Sequence, residues 1–373
     1  MRIVFMTGTM GLSGASKMMA FAANSMARAG HEVHVVTFFS GECMQPLEPG
    51  VRFVALGGER SKSRLVRNTR DMAKTLFRLD ALMRKLRPDV AVTFLDSVGY
   101  VYLLVNRLLR RCRMVASERT DPHAQRGLTA KLRTFLLGFA DGVVLQTEGA
   151  RDFYRGKRRV LRRTAVIPNP VVIPEAARAR LPQLRISAAQ RDNRIVTVGR
   201  LALRQKRQDV LLEAFRIVHA QRPEVTLYIY GKGPAEAEIR RRVETLGLTD
   251  CVTLAGETAQ VFTDVHAARM FVLSSDYEGI PNALIEAMTV GVPCVSTDCS
   301  PGGARLLIRD GVDGFLAPRG DAQAMAARML QLLDDPALCD RFSQEAVKIC
   351  ERFAEERIAS RWVDFLEGLV PEE

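Results

Sequence analysis

The chain lacks any continuous apolar stretch of the roughly 18 residues that a membrane-spanning helix needs. Its seven cysteines are odd in number and lack the close pairs that zinc sites and disulfide frameworks use. The chain opens directly on an apolar strand pattern, from which we expect no targeting segment. These absences predict a cytoplasmic protein in a reducing compartment, without a bound metal.

Aromatic residues are also scarce, at 6% of the chain, and form no stripe with basic residues of the kind that stacks single-stranded nucleic acid. Acidic residues number 42 against 54 lysines and arginines, so the net charge is +12. The excess favours an anionic partner such as a membrane surface or a phosphorylated substrate. A nucleic-acid-binding protein is the charge-based alternative, but without the aromatic stripe we expect no nucleic acid.

What the chain does contain is a repeated alternation of short apolar strands and helices. The alternation predicts an α/β protein with two domains, each a doubly wound parallel sheet, and with six strands in the N-terminal half. A length of 373 residues suits two domains. The predicted division is an N-terminal domain over 1–172, a linker over 173–192, a C-terminal domain over 193–345, and a helical segment over 346–373 that returns to the N-terminal domain.

The most informative stretch is FVLSSDYEGIPNALIEAMTVGVPCVSTDCSPGGAR at 271–305. It predicts a buried strand, a tight turn, a helix that starts at Pro281 and continues over 282–290, and a second buried strand. Glu278 lies in the turn and Glu286 lies inside the helix. The helical rise puts the two carboxylates about 10 Å apart, which suits the two ends of one elongated polar ligand.

Backbone N–H groups at the start of this helix could hold an anion between the two carboxylates. Such an arrangement would bind a sugar, a diphosphate and a ribose in line. The alternative is structural, with Glu278 balancing the helix dipole and Glu286 on a solvated face. These residues alone leave both interpretations open.

A second candidate segment follows the first strand of the C-terminal half. Gly199 and Arg200 end that strand, and Lys206 and Arg207 precede the next helix. Positive side chains beside a helix N-terminus form a clamp for a diphosphate. The alternative is a loop of solvated charges.

The N-terminal half offers a glycine-rich turn and a polar loop. The turn, with Gly8, Gly11 and Gly14, lacks the strict dinucleotide fingerprint, but it would let backbone approach a phosphate or an acceptor closely. The loop follows the fifth strand, at the edge where open parallel sheets place ligands. Its candidates for acceptor contacts are Glu118, Arg119, Asp121 and His123.

Two basic stretches could rest on anionic lipid: the helix predicted over 64–87 and the run RDFYRGKRRVLRR over 151–163. Smaller basic clusters occur at 110–113 and 157–159. The alternative for each stretch is a solvated helix or loop face.

EGIPNALIEAM at 278–288, followed by Gly-Val-Pro and a glycine pair, resembles the donor-site signature of the family 4 retaining glycosyltransferases. The resemblance implies the GT-B fold, two facing Rossmann-like domains with the donor site in the cleft. It assigns Arg200 and Lys206 to the donor diphosphate, Glu278 to the hexose hydroxyls and Glu286 to the ribose. Glu278, Arg200 and Lys206 are the implied catalytic residues. The implied donor-binding residues are Gly14, Gly199, Arg200, Lys206, Glu278, Gly279, Ile280, Pro281, Asn282 and Glu286.

The same resemblance implies retaining, metal-independent transfer of a hexose or N-acetylhexosamine to a glycan or a lipid-diphosphate acceptor. A UDP-sugar is the favoured donor and GDP-mannose is the alternative; the nucleotide-sugar is a co-substrate, and no cofactor is expected. The enzyme would be cytoplasmic, and peripheral on the inner face of the cell membrane. A sugar-nucleotide epimerase of related fold and a non-catalytic nucleotide-sugar-binding protein remain as alternatives.

The sequence departs from the family pattern in three places. Leu306 stands where many members carry a glutamate, so a contact there is not expected. The histidine that many members place after the fifth strand has no counterpart at 115–118. The spacing from Arg200 to Lys206 is one residue longer than the commonest form.

Overall fold

The computed structural model describes residues 1–58, 67–94, 97–125, 127–157 and 159–370. The chain divides into two compact units, which we call unit 1 (Met1–Asn169 and Glu356–Glu373) and unit 2 (Pro170–Glu355). The stretch 173–192, which the sequence pattern predicts to be a linker, lies within unit 2.

Unit 1 is built on a seven-stranded parallel sheet with the strand order β3-β2-β1-β4-β5-β6-β7. Its central strands are buried along most of their length and mostly apolar, as expected where helices cover both faces of a sheet. The strands are β1 (Arg2–Thr7), β2 (Glu32–Phe39), β3 (Val51–Gly58), β4 (Val90–Phe94), β5 (Arg113–Ser117), β6 (Gly142–Leu145) and β7 (Thr164–Val166).

In the described part of unit 1, five α-helices connect these strands. The first begins at Gly14, and the Ser13 hydroxyl caps it by accepting from the Ser16 backbone N–H at 3.1 Å. Residues 64–66 of the predicted basic helix, residue 95 of the predicted fourth strand and residue 158 of the predicted basic run lie outside the described residues. The helices are α1 (Gly14–Arg28), α2 (Arg67–Leu86), α3 (Ser97–Leu109), α4 (Gly127–Leu137) and α5 (Glu148–Phe153).

Unit 2 repeats the architecture with a six-stranded parallel sheet, in the order β10-β9-β8-β11-β12-β13. Apolar residues from the strands and from the covering helices form its core. The strands are β8 (Arg194–Val198), β9 (Thr226–Tyr230), β10 (Val252–Gly256), β11 (Met270–Leu273), β12 (Cys294–Thr297) and β13 (Phe315–Ala317).

The predicted linker holds two short helices of unit 2, α6 and α7, and buries Leu184 and Ala188 in the core. The helices of unit 2 are α6 (Glu175–Arg178), α7 (Leu181–Leu184), α8 (Leu203–Lys206), α9 (Gln208–Gln221), α10 (Glu236–Thr245), α11 (Val261–Val265), α12 (Asn282–Thr289), α13 (Gly303–Leu307), α14 (Ala322–Asp334), α15 (Pro336–Ala346) and α16 (Ile349–Arg352).

The last helix, α17 (Glu355–Glu367), packs on unit 1. Trp362 is buried there, stacked on Phe94 with ring centroids 6.0 Å apart and edge-on to Phe5 at 6.5 Å. A Cβ atom on Gly142 would lie 2.9 Å from the Phe365 ring, so the close approach of helix and sheet requires glycine. The C-terminal residues therefore complete the core of unit 1.

Each sheet reverses its strand order at one point, between β1 and β4 in unit 1 and between β8 and β11 in unit 2. Open parallel sheets bind ligands at the carboxyl ends of the strands beside such a reversal. In unit 2 the two strands pair through Ile195 with Met270 and Val196 with Phe271. Among the described residues, no helix combines the length and the apolar character needed to cross a bilayer.

Candidate donor site

The loops that follow β8 and β11 meet at the carboxyl edge of the unit 2 sheet because these strands are neighbours. The Ser274 hydroxyl donates to the carbonyl oxygen of Lys206 at 2.7 Å. The backbone N–H of Asp276 donates to the Gln205 carbonyl oxygen at 2.8 Å. These hydrogen bonds join two loops that lie about 70 residues apart in sequence into one wall of a site.

The centre of this wall is an ion pair between Lys206 and Glu278. The Lys206 ammonium nitrogen lies 2.6 Å from Oε1 of Glu278, and the two side chains are only 16% and 9% exposed. The Ser275 hydroxyl donates to the same carboxylate oxygen at 2.7 Å. The residues assigned by resemblance to the diphosphate and to the sugar are thus in direct contact.

Glycine residues allow the loops around this pair to pack closely. A Cβ atom on Gly231 would lie 2.0 Å from the Gly199 carbonyl oxygen, which brings the loop after β9 against the loop after β8. A Cβ atom on Gly303 would lie 2.1 Å from the Gly279 carbonyl oxygen. The glycine pair of the signature therefore positions the backbone directly after Glu278.

Arg207 is held away from the role of a diphosphate ligand. It joins α8 to α9 in the left-handed backbone conformation, with φ of 49°. Its guanidinium donates to both carboxylate oxygens of Asp276 at 3.1 Å and to Asp209 at 3.0 Å. Hydrogen bonds to these two aspartates raise the pKa of Arg207. Arg207 therefore ties the start of α9 to the loop after β11.

Arg200 is the second predicted diphosphate ligand and is exposed. Its backbone carbonyl accepts from the Gln208 side-chain amide at 3.0 Å, which anchors the residue. Within the described part of the chain its guanidinium has no hydrogen-bonding or ionic partner. Arg200 can therefore turn its charge toward an incoming anion.

The helix of the signature, α12, differs from its prediction at both ends. Pro281 is the residue that precedes the helix, with φ of −75° and ψ of 101°, and the last helical residue is Thr289. The backbone N–H of Glu278 donates to the Ser300 carbonyl oxygen at 2.8 Å and fixes the turn before the helix. Ile280 and Pro281 are buried, whereas Asn282 and Glu286 are half-buried on α12.

Two family models match this chain. The model described as Glycosyl transferases group 1 matches residues 192–335, and the model described as Glycosyltransferase Family 4 matches residues 12–173. The chain is a glycosyltransferase that combines these two domains. The predicted family and enzyme class are therefore confirmed.

Relatives of this glycosyltransferase match it along its whole length. The amylovoran biosynthesis glycosyltransferase AmsD of Erwinia amylovora is 24% identical over 98% of this chain and 99% of its own. The Campylobacter jejuni GalNAc-alpha-(1->4)-GalNAc-alpha-(1->3)-diNAcBac-PP-undecaprenol alpha-1,4-N-acetyl-D-galactosaminyltransferase is 24% identical over 98% of each chain. The crystal structure of Anabaena Alr3699/HepE with UDP and glucose superimposes with a TM-score of 0.78 at 19% identity, covering 98% of this chain and 99% of that chain. The predicted GT-B fold is thereby confirmed.

In unit 1 of the glycosyltransferase, the acceptor-side candidate Glu118 is buried rather than open. Its carboxylate accepts from the Tyr154 hydroxyl at 2.6 Å and the Tyr100 hydroxyl at 2.8 Å, and Arg133 lies 3.4 Å away. Burial raises the pKa of Glu118, while Arg133 and the two hydroxyl groups act against that shift. As folded, Glu118 holds the core of unit 1 together and offers no open surface to an acceptor.

The other unit 1 candidates differ in exposure. Asp121 is buried and accepts from the His123 ring at 2.9 Å, whereas the His123 side chain is 49% exposed. The Arg119 guanidinium stacks over Phe94 at 4.8 Å, and burial lowers its pKa to about 9. Of the four candidates, His123 is the most open to an incoming molecule. Gly14 also belongs to unit 1, as the first residue of α1.

Three residues of the unit 2 site escaped the sequence analysis. Ser275 and Asp276 precede Glu278 in the same turn. Ser275 donates to Glu278, and Asp276 accepts from Arg207. Gln205 donates to the Tyr277 carbonyl oxygen at 3.3 Å. The signal for the first two was the polar run SSD directly after a buried strand. Gln205 carried no local signal, because its partners come from another loop.

Proposed function

We propose that this enzyme transfers a hexose or N-acetylhexosamine from a nucleotide-diphosphate sugar to a glycan or lipid-diphosphate acceptor, with retention of configuration. A UDP-sugar is the proposed donor, and GDP-mannose is the alternative. The proposal extends to bacterial polysaccharide biosynthesis, the process named for the Erwinia relative.

The observation that carries the proposal is the contact between Lys206 and Glu278 at the strand reversal of unit 2. The second carboxylate oxygen of Glu278 accepts only a long hydrogen bond from the Gln205 amide, at 3.5 Å, so it can also accept from a sugar hydroxyl. The lysine ammonium has three donors, so it can bind a phosphate oxygen as well as Glu278. Donor sugar and donor diphosphate would then be held side by side.

In the proposed reaction, the bond between the sugar C1 and the diphosphate oxygen breaks, and the bond between C1 and the acceptor oxygen forms on the same face. The acceptor proton passes to the leaving phosphate oxygen. Lys206 and Arg200 stabilise the negative charge that develops on the diphosphate, in place of a divalent metal. Glu278 orients the sugar hydroxyls, and Glu286 is proposed to accept from the ribose.

We further propose that the enzyme works at the cytoplasmic face of the cell membrane as a peripheral protein. Support comes from the net charge of +12 and from a relative whose name specifies an undecaprenol diphosphate. Anionic lipid attracts basic surfaces, and a lipid-linked acceptor would be presented there.

The test incubates the protein with a panel of UDP- and GDP-sugars, with and without a polyprenyl-diphosphate-linked saccharide. We expect release of UDP that depends on acceptor, and a product whose new linkage is α when the donor is α-linked. Interconversion of donor sugars without acceptor would instead identify an epimerase. Donor binding without any turnover would identify a binding protein, and a β-linkage would contradict retention.

A further inference from the structure

A cavity of about 590 Å³ lies in unit 1 at the edge of the sheet where strands begin. Its walls include Asp89, which directly precedes β4, Arg113, which opens β5, and Asp141, which precedes β6. Ligands of the donor and acceptor classes are expected at the opposite, carboxyl edge of such sheets. The cavity is therefore separate from the predicted acceptor loop of unit 1.

Most of the charged side chains that line this cavity are arginines. Its lining includes four arginines, from the sequence RLLRRCR at 107–113, and two aspartates. The aspartates are engaged by backbone: Asp89 accepts from the Arg2 N–H at 2.6 Å and Asp141 from the Met114 N–H at 2.8 Å. The cavity thus has more positive charge than its own carboxylates neutralise.

Two of the four arginines are uncommitted. Arg111 is fixed by Asp80 at 3.1 Å, and Arg113 lies 3.5 Å from Asp141. For Arg107 and Arg110, the described residues provide no hydrogen-bonding or ionic partner, and both side chains are exposed. Two guanidinium groups of this kind that line one cavity can bind a phosphate group.

The backbone at Arg110 allows a substitution that removes the charge and keeps the fold. Arg110 follows the last turn of α3 with φ of 49°, in the left-handed region that glycine occupies with the least strain. Its N–H donates to the Asn106 carbonyl oxygen at 2.6 Å, which closes the helix as a glycine would. Glycine would serve the fold at this position, so the guanidinium can be removed by Arg110→Gly without disturbing the helix end.

Exposed apolar side chains border the cavity. Leu108 is 75% exposed and Leu109 is 44% exposed, and both lie between the two uncommitted arginines in sequence. Phe135 of α4 is 55% exposed and meets the cavity-lining Phe139 with ring centroids 5.0 Å apart. Leu128 and Leu132 extend the apolar row along α4, seven and three residues before Phe135. Cations beside exposed leucines fit a phosphate that carries acyl chains.

We propose that this cavity binds the phosphate headgroup of an anionic phospholipid, with Leu108, Leu109 and Phe135 inserted among the acyl chains. The inference rests on the proposed membrane-associated function and specifies which surface meets the lipid. Charge complementarity and apolar insertion act together in such surface binding.

The test is flotation of the protein with vesicles of phosphatidylglycerol in phosphatidylcholine, without donor or acceptor. Arg110→Gly should weaken binding about fivefold, the effect of one basic residue at an anionic surface. It should also keep or raise the unfolding midpoint, because glycine relieves the left-handed backbone. Arg87→Gly is the matched control: Arg87 also ends a helix with φ of 47° and is exposed, but it does not line the cavity.

The proposal predicts that Arg87→Gly binds vesicles as the unaltered protein does, and that Leu108→Ser weakens binding. Equal weakening by the two glycine variants would overturn it in favour of general surface charge, and no effect of either variant would overturn it outright. Binding of soluble glycerol phosphate as tightly as vesicles would identify a soluble phosphate compound and overturn the lipid assignment. Glycosyl transfer to a soluble acceptor is measured separately, so an inactive enzyme that still floats with vesicles contradicts only the proposed function.

Discussion

Glu118 of unit 1 and Glu278 of unit 2 are two glutamates in comparable surroundings. We expect the first to stabilise the fold and the second to bind the donor. Each follows a strand of a parallel sheet, each is buried, and each lies beside a basic side chain, Arg133 at 3.4 Å and Lys206 at 2.6 Å. Both looked like ligand-binding residues in the sequence. The difference lies in the rest of their contacts.

Both oxygens of the Glu118 carboxylate are taken by tyrosine hydroxyls within the core, and its strand, β5, does not border the strand reversal of its sheet. Glu278 follows β11, which does border the reversal, and Lys206 beside it is still 16% exposed. Burial and ion pairing are therefore insufficient to identify a site. Position in the sheet distinguishes a carboxylate that can meet a ligand from one that stabilises the fold.

The largest effect is expected at Glu278. Glu278→Ala should lower the kcat of transfer about 10³-fold, because the sugar loses its carboxylate and Lys206 loses its partner. The unfolding free energy should fall by about 2 kcal/mol from the lost hydrogen bonds. Steady-state kinetics with a UDP-sugar and urea denaturation check the two effects. Near-normal turnover in this variant would falsify the donor-site assignment.

Glu118→Gln should act on stability instead. Arg133 is 4% exposed in its side chain, so the loss of its anionic partner should lower the unfolding free energy by about 4 kcal/mol. The KM for the donor should not change, because every donor contact proposed above except Gly14 lies in unit 2. A variant that keeps its stability but loses transfer would show that Glu118 contacts the acceptor, and the contrast between the two glutamates would disappear.

Lys206→Ala should lower kcat about 10²-fold, the cost of removing one donor that stabilises the leaving charge. Lys206→Arg should recover part of that loss, since it keeps the charge. Arg240→Ala, which removes a cation from an exposed pair with Glu236 on α10, is the control. If the control and Lys206→Ala lose activity equally, the effect reflects net charge rather than the site.

The smallest effect is expected from the glycine that supports Glu278. Gly303→Ala would place a Cβ atom 2.1 Å from the Gly279 carbonyl oxygen, so the turn must shift. We expect a loss of about 2 kcal/mol in unfolding free energy, as for other overpacked positions, and a higher KM for the donor. Gly50→Ala, where the nearest atom is 3.8 Å away, should have neither effect. An unchanged KM in Gly303→Ala would show that the turn does not position the donor.

Much of the fold was accessible from local pattern, because a parallel strand covered on both faces is a short, uninterrupted apolar run. That pattern predicted β1 to β6. It missed β7 (Thr164–Val166), a three-residue strand in a stretch dominated by the following prolines. It also interpreted 173–192 as a linker, where the structure forms short helices around buried Leu184 and Ala188. Short elements carry too few residues for a periodic signal.

The functional roles of Arg200, Lys206, Glu278 and Glu286 stay predictions, but the structure limits them. Arg207 stood beside Lys206 as an equal candidate in the sequence. Only the fold shows that its guanidinium is committed to Asp209 and Asp276. The same applies to Glu118, whose partners Tyr100, Arg133 and Tyr154 are 15 or more residues away in the chain.

Residue order along the chain was enough to determine the alternation of strands and helices, the family signature and the turn that carries Glu278. These depend on neighbours within a few residues, and local backbone preference and burial period decide them. The ion pair of Lys206 with Glu278 and the arginine cavity of unit 1 depend on which strands become neighbours. That choice is made when distant segments bury their apolar faces together, so only the tertiary structure could decide which charges meet.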